Sequence, residues 1–220
     1  SVTFNSFNIL GCSNRLAQPI RLLLNYAGEE FTDKQYEQGD GPEFSVEEWT
    51  SVKFTLGLDF PNLPYFIDGD ISMTQSNTIL RYIAGKHNLL GNTTKEKVAC
   101  DMMLENAMDF RNGLVRVVYN PNYESLKGDY FEKLPTTLTK FEKYLGDKQW
   151  FAGGDKVTVC DFPMYELLDQ HLLMTPGCLD KFPKLQAFLK RFEALPQIKA
   201  YMASPKFLKR PVNNKSGGFR

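Results

Sequence analysis

Hydrophobic residues change their spacing along the chain. In residues 1–85 short apolar runs alternate with two helical patterns, at 16–27 and 76–87. Alternation of short strand-like and longer helix-like segments is typical of an α/β unit. The pattern therefore predicts a small α/β domain with a mixed sheet in the first part of the chain.

Apolar positions in residues 95–202 recur with the period of a helix, and glycine and proline divide this part into segments. Residues 158–161 form a capping-box variant, which predicts that one of these helices starts at about Phe162. We expect an all-helical bundle here, followed by an irregular tail in which residues 216–218 are loose. No internal repeat interrupts this pattern.

Two short strands and a tight turn are predicted just before the second helical pattern. Residues 65–67 are an apolar run, and residues 68–70, Asp-Gly-Asp, are typical of a hairpin turn. Pro64 opens the first strand, where a proline is tolerated because its missing N–H is not needed. A cis bond before Pro64 would turn the backbone of Leu63 outward, where its N–H and C=O could pair with a bound peptide.

Gln75 and Ser76 stand at the predicted start of the helix that follows this hairpin. Free backbone N–H groups and the helix dipole attract a carboxylate at such a position. The alternative is that Ser76 is simply the N-cap of the helix. The neighbouring Asn62-Leu63-Pro64 segment favours ligand binding.

Composition limits the classes of function. Lysine plus arginine equals aspartate plus glutamate, 26 each, so no overall charge attracts nucleic acid or an anionic membrane. The sequence contains no long apolar run and no secretory signal pattern, so we expect a cytoplasmic protein without a membrane span. Only two histidines are present, and the four cysteines are far apart in sequence, so no metal site is expected. These cysteines are Cys12, Cys100, Cys160 and Cys178.

The segment that holds Asn62-Leu63-Pro64 and Gln75-Ser76 resembles the glutathione-binding core of the mu-class cytosolic glutathione transferases. The resemblance covers roughly residues 16–215. It implies a thioredoxin-like α/β domain at 1–88 that binds glutathione, and an all-α domain at 92–220 that holds the electrophile pocket. Glutathione is then a co-substrate, no other cofactor is needed, and the partners are small hydrophobic electrophiles.

The resemblance also implies site residues. Those expected to hold glutathione are Trp49, Lys53, Asn62, Leu63, Pro64, Gln75, Ser76 and Asp109, the last reaching the neighbouring subunit's ligand. Trp49 has the alternative of being a core residue, but the polar stretch around it favours a ligand role. Tyr119 and Asn214 correspond to residues of the electrophile pocket.

A homodimer is implied as well. Phe60 matches an aromatic residue that enters a pocket of the partner, while Arg81 and Asp101 match residues near the two-fold axis. Asp101, Glu105 and Asp109 repeat every four residues, an unfavourable arrangement of like charges unless they are compensated. The alternative for this acidic stripe is a solvated helix face.

In the mu-class family a tyrosine near the end of the first strand donates a hydrogen bond to the glutathione sulfur. This chain departs from the family at that position, since no tyrosine occurs before Tyr26. A free thiol with a pKa near 8.5 is mostly protonated at neutral pH, so the enzyme must stabilise the thiolate. One alignment places Ser6 at the tyrosine position, and a second places Cys12 there. Ser6, Cys12 and Ser13 are therefore the candidate replacement donors.

Two classes of function remain open from the sequence. The first is an enzyme that conjugates glutathione to hydrophobic electrophiles, with Ser6, Cys12 or Ser13 in place of the tyrosine. The second is a non-catalytic relative that keeps the fold and serves as a binding, carrier or structural protein. The intact glutathione segment favours binding, and the missing tyrosine argues against ordinary rates.

Overall fold

The first third of the chain forms a mixed sheet with helices packed against it. In the computed structural model the backbone is described for residues 2–9, 12–13, 16–207 and 213–219, and the side chains for 16–207 and 213–219. The elements of this part are β1 (Val2–Ile9), β2 (Cys12–Ser13), α1 (Gln18–Ala27), β3 (Phe31–Tyr36), α2 (Glu47–Thr50), β4 (Tyr65–Asp68), β5 (Ile71–Thr74) and α3 (Ser76–Lys86).

Strand β1 is the centre of the sheet. It runs parallel to β3 and antiparallel to β4, and β4 pairs antiparallel with β5. The short strand β2 folds back on the end of β1, with Asn8 opposite Ser13 and Ile9 opposite Cys12. The mixed sheet and the hairpin predicted at residues 68–70 are both present.

In the rest of the described chain there are five further helices: α4 (Thr94–Val118), α5 (Tyr123–Leu145), α6 (Asp161–Met174), α7 (Pro183–Glu193) and α8 (Pro196–Met202). One large hydrophobic core joins α1 and α3 to α4, α5, α6 and α7. Helix α6 lies at the centre of this core, and residues 161–168 are all buried. Within the described ranges, no helix has both the length and the apolar character needed to cross a membrane.

The start of α6 is fixed by a buried carboxylate. Asp161 accepts hydrogen bonds from the backbone N–H of Thr158 at 2.8 Å and from that of Phe151 at 2.9 Å. Burial raises the pKa of Asp161 to about 6. The helix begins at Asp161, one residue before the predicted start, because this side chain reaches back to the loop as in a capping box.

The prediction that residues 216–218 are loose is wrong. The N–H of Gly218 donates to the carbonyl of Val118 at 2.8 Å, so the tail packs against the end of α4. A Cβ atom at Gly218 would lie 2.3 Å from the Tyr123 ring. The glycine is therefore present because the backbone must approach an aromatic ring closely, which a composition argument cannot distinguish from flexibility.

Candidate active site

The turn before β4 has the geometry on which the peptide-binding expectation depended. The Leu63–Pro64 bond is cis, Pro64 is buried, and Asn62 is exposed. The N–H of Leu63 donates to Oδ1 of Asn62 at 2.9 Å. A peptide that paired with this N–H would therefore replace a hydrogen bond from a flexible, exposed side chain, which is a small rearrangement.

Gln75 and Ser76 lie at the N-terminus of α3, as predicted. Gln75 is exposed and has a φ of 72°, a region that residues other than glycine rarely adopt. Ser76 is the first residue of the helix and is buried. Ser76 is thus not the N-cap, and the Gln75 side chain forms no capping hydrogen bond within the described residues. The first N–H groups of α3 can accordingly serve a ligand carboxylate.

Trp49 is buried in a small aromatic cluster, and its ligand role stays a prediction. It is 7% exposed, and its ring lies 5.3 Å from that of Tyr36 and 5.9 Å from that of Tyr65. The two tyrosine hydroxyls share a hydrogen bond of 2.8 Å, and burial raises the pKa of Tyr65 well above its usual range. This cluster fixes α2 on the sheet. Lys53, in the turn that follows α2, is half-buried, with Nζ 5.4 Å from the centre of the Phe54 ring.

The candidate sulfur donors lie on neighbouring strands of the sheet. Ser6 is in β1 opposite Gln35, and β1 continues for three residues beyond it. Cys12 and Ser13 make up β2. The side chains of all three lie outside the described part of the chain, so the choice between the two alignments stays open.

Tyr119 and Asn214 are brought together on one cavity, about 250 Å³ in volume. The N–H of Asn214 donates to the hydroxyl oxygen of Tyr119 at 3.0 Å, which holds the tail over the end of α4. The other residues that line this cavity are Leu16, Met108, Arg111, Asn112, Val115, Gln170 and Asn213. The lining therefore combines apolar and polar side chains, and we call Arg111, Gln170, Asn213 and Asn214 its polar side.

Sequence reasoning missed the polar side of this cavity. Glu166 and Gln170 are buried on α6, in a helix whose other buried positions are largely apolar. Arg111 of α4 forms a buried ion pair with Glu166. The signal that could have found them is the presence of polar residues, four apart, in a helix that is apolar on every side.

The acidic stripe on α4 is partly compensated by α3. Arg81 donates to Asp101 at 2.7 Å and also pairs with Glu105. Asn77 of α3 donates to Glu105 as well. Asp109 is exposed and lines a second cavity, of about 400 Å³, between α4 and α5. The alternative of a merely solvated face therefore does not hold for the first two acids.

Both halves of the chain match family models. Residues 3–85 match the model described as "Glutathione S-transferase, N-terminal domain", and residues 108–205 match "Glutathione S-transferase, C-terminal domain". Among the similar solved structures are a Pi-class glutathione S-transferase of Onchocerca volvulus (34% identity, TM-score 0.85, all of both chains) and the glutathione S-transferase Blo t 8 (33% identity, TM-score 0.86, 99% of both chains). These matches confirm the predicted fold class.

Curated relatives extend the likeness to one class. Glutathione S-transferase Mu 4 of Mus musculus is 50% identical over 200 residues, which is 91% of each chain. Glutathione S-transferase Mu 1 of Macaca fascicularis is 50% identical over 197 residues, which is 90% of each chain. The predicted resemblance to mu-class glutathione transferases is thus confirmed, since about half of the aligned residues are identical.

Proposed function

The chain belongs to the glutathione S-transferase family and is a glutathione transferase; from this premise we propose how its residues conjugate glutathione to hydrophobic electrophiles. The observation that carries the proposal is the N-terminus of α3, where Gln75 has φ 72° and precedes uncapped backbone N–H groups. These groups and the helix dipole bind a carboxylate of glutathione. The comparisons give no support to the non-catalytic alternative.

The peptide part of glutathione then lies along residues 62–64. The N–H and C=O of Leu63 pair with the ligand backbone after Asn62 releases its hydrogen bond. Lys53 binds a carboxylate of the ligand, and Trp49, packed by its two tyrosines, supports the wall of this site. Pro64 holds the turn.

The N-terminal tip supplies the donor for the sulfur. Ser6 is the first candidate, because it keeps the family's spacing from the start of the first strand, and Cys12 and Ser13 follow. A serine is shorter than a tyrosine by a whole ring, so turnover slower than that of a tyrosine enzyme is expected. The electrophile enters the cavity lined by Tyr119 and Asn214.

A homodimer completes the proposal. Phe60 is 79% exposed, so its ring is available to be buried by a second copy of the chain. The cavity between α4 and α5 has an apolar floor that includes Phe110 and Phe141, which suits an aromatic side chain from a second copy. Arg81 and Asp101, joined by their ion pair, form the surface near the two-fold axis.

In this dimer Asp109 faces the glutathione site of the other subunit. The proposal also includes two domains, a glutathione-binding domain at 1–88 and a helical domain at 92–220. Its proposed role is detoxification, and its proposed location is the cytoplasm. No nucleic acid or membrane partner is proposed.

Calorimetric titration with glutathione tests the site. Gln75→Ala and Ser76→Ala each remove polar contacts to a carboxylate and are expected to weaken binding by about ten- to 150-fold, since a hydrogen bond to a charged group contributes about 1.5–3 kcal/mol. Ser204→Ala, whose hydroxyl bonds only the carbonyl of Tyr201 within the described chain, is the control. Absence of binding to the unmodified protein at millimolar glutathione would overturn the proposal.

A further inference from the structure

The polar side of the electrophile cavity contains a buried acceptor that no protein group satisfies. Gln170 lines the cavity from α6 and is 2% exposed. Its Oε1 is buried and accepts no hydrogen bond within the described ranges of the chain. Buried amide oxygens are nearly always paired, so an orphaned one on a residue that lines a cavity points to a ligand.

The orientation of this amide follows from its partners. The carbonyl of Phe219 can only accept, so the group of Asn213 that lies 3.0 Å from it must be the Nδ2 donor. Asn213 Oδ1 is then an acceptor, and the group of Gln170 that lies 3.2 Å away must be Nε2. Because both amides are fixed in this order, Oε1 is the free end of Gln170.

A second acceptor lies on the same wall. The backbone N–H of Asn214 is engaged with Tyr119, but Oδ1 of its side chain is buried and has no donor in the residues that the structure describes. Asn214 follows Asn213 directly, so the two orphaned oxygens belong to one hydrogen-bonded assembly of tail and α6. Gln170 and Asn214 therefore contribute two buried acceptors that have no donor in the described chain.

Charge on the lining is already neutralised. Among the described residues of the cavity wall only Arg111 is charged, and it pairs with the buried carboxylate of Glu166. An anionic ligand would have to compete with that carboxylate for the guanidinium. A neutral ligand with a hydrogen to donate meets no such cost.

We propose that the cavity selects neutral electrophiles that carry a hydroxyl or amide N–H donor, and that Oε1 of Gln170 accepts the hydrogen bond. This rests on the proposed function of the cavity as the electrophile site. A wholly apolar electrophile would leave Gln170 Oε1 and Asn214 Oδ1 buried without a partner, so their loss of hydration would not be compensated. Gln170 is thus a specificity residue for the transferase reaction.

Two electrophiles that differ only in a donor test this directly. A 4-hydroxy-2-alkenal and its 4-methoxy counterpart of equal chain length have similar electron withdrawal, but only the first can donate. With either probe the glutathione sulfur bonds to C3, the C2=C3 π bond breaks, and C2 receives a proton. After correction for the uncatalysed reaction, kcat/KM is expected to be about tenfold higher for the hydroxy compound. Equal values would overturn the inference.

A leucine variant separates hydrogen bonding from the added bulk of the methyl group. Gln170→Leu is expected to bring the ratio of the two kcat/KM values close to one, while Gln197→Leu, at an exposed glutamine of α8, keeps the tenfold ratio. A ratio that survives in Gln170→Leu would mean discrimination by size and would contradict the role of Oε1. Asn214→Leu, with its fold checked by circular dichroism, tests the second acceptor in the same way.

Binding of the products gives a readout that does not need turnover. Both glutathione conjugates are prepared chemically, and their aldehyde groups are reduced to alcohols so that the C4 hydroxyl cannot close to a cyclic hemiacetal. Both are then titrated by calorimetry, and the hydroxy conjugate is expected to bind about tenfold tighter. Equal binding overturns the inference and leaves the proposed function standing. Failure of both conjugates to bind overturns the proposed function, and the inference with it.

Discussion

Nζ of Lys215 lies 2.6 Å from Oδ1 of Asp40, and this ion pair joins the C-terminal tail to the loop between β3 and α2. The lysine is buried, whereas the aspartate side chain is exposed. Asn214, the neighbour of Lys215, lines the electrophile cavity. The tail is therefore held across this cavity from both halves of the chain.

Breaking the pair should loosen the tail. Lys215→Ala is expected to increase the hydrogen-exchange rate of the Gly218 amide, which donates to Val118, while lowering the free energy of unfolding by only about 1 kcal/mol or less. The charge-swapped pair, Asp40→Lys with Lys215→Asp, should restore protection. Lys184→Ala, which breaks the exposed pair with Asp147, is the matched control and should leave Gly218 unchanged. Equal exchange of the Gly218 amide in Lys215→Ala and in the unmodified protein would show that the Lys215–Asp40 ion pair does not hold the tail in place.

His171 should make the fold sensitive to acid. Its Nδ1 lies 2.6 Å from the carbonyl of Leu167, and its Nε2 lies 2.7 Å from the hydroxyl of Tyr130. Since a carbonyl only accepts, Nδ1 carries a hydrogen, and in the neutral ring Nε2 accepts from the Tyr130 hydroxyl. Burial lowers the pKa of His171 to about 4, and the positive charge of Arg111 contributes in the same direction.

The sign follows from linkage. Between pH 6.5 and about 4 the folded state binds fewer protons at His171 than the unfolded state does. The contribution of His171 to the free energy of unfolding is therefore fully present above pH 6.5 and is lost as the pH falls towards 4. From pH 7 to pH 5 the unmodified protein should lose about 2 kcal/mol more than His171→Gln, measured by urea unfolding. The raised pKa of Asp161 acts with the opposite sign in both proteins and cancels in the difference. Identical pH slopes would contradict this assignment.

Phe60 should control assembly. If each subunit inserts the Phe60 ring into the cavity between α4 and α5 of the other, Phe60→Ala removes two buried aromatic rings from the interface at once. Each loss should weaken the free energy of association by about 3–5 kcal/mol. Sedimentation should then show monomers at concentrations where the unmodified protein is dimeric. Leu126→Ala, at an exposed apolar position on α5, should leave the dimer intact. An unmodified protein that is monomeric at micromolar concentration would exclude the proposed interface.

The source of the sulfur donor can be found by ultraviolet absorbance of the bound thiolate against pH. One of Ser6→Ala, Cys12→Ala and Ser13→Ala should raise the pKa of bound glutathione and lower turnover by up to about a hundred- to a thousandfold. The other two should behave like the unmodified protein. If none of the three has an effect, the N-terminal tip does not supply the donor.

Local patterns in the sequence predicted the parts of the site that depend on neighbours in the chain. The hairpin before α3 and the position of Gln75 and Ser76 at its N-terminus follow from a turn sequence and the start of helical periodicity. The start of α6 was predicted to within one residue because the capping-box pattern at residues 158–161 is also local in sequence. Fold class and family followed from the same segment and were confirmed by the comparisons.

Contacts between distant residues could not be predicted in this way. The partner of Lys215 is 175 positions away, and Gln170 meets Asn213 across 43 positions. The glycine pair Gly217–Gly218 in the tail suggested flexibility. The sequence does not show that the backbone of Gly218 packs closely against the Tyr123 ring. The burial of the Trp49 ring was not apparent because the residues beside it in the sequence are exposed, and the buried residues that complete the cluster around it, Tyr36 and Tyr65, are distant in sequence; its ligand role stays a prediction.

The most direct test of the central claim is the initial rate at which the purified protein conjugates glutathione to a chlorodinitrobenzene, above the uncatalysed rate. The account predicts a rate that saturates with glutathione and falls in Gln75→Ala and Ser76→Ala in parallel with their weaker glutathione binding. A protein that binds glutathione but leaves this rate at the uncatalysed level, with the hydroxyalkenal as well, would contradict the account and restore the non-catalytic alternative.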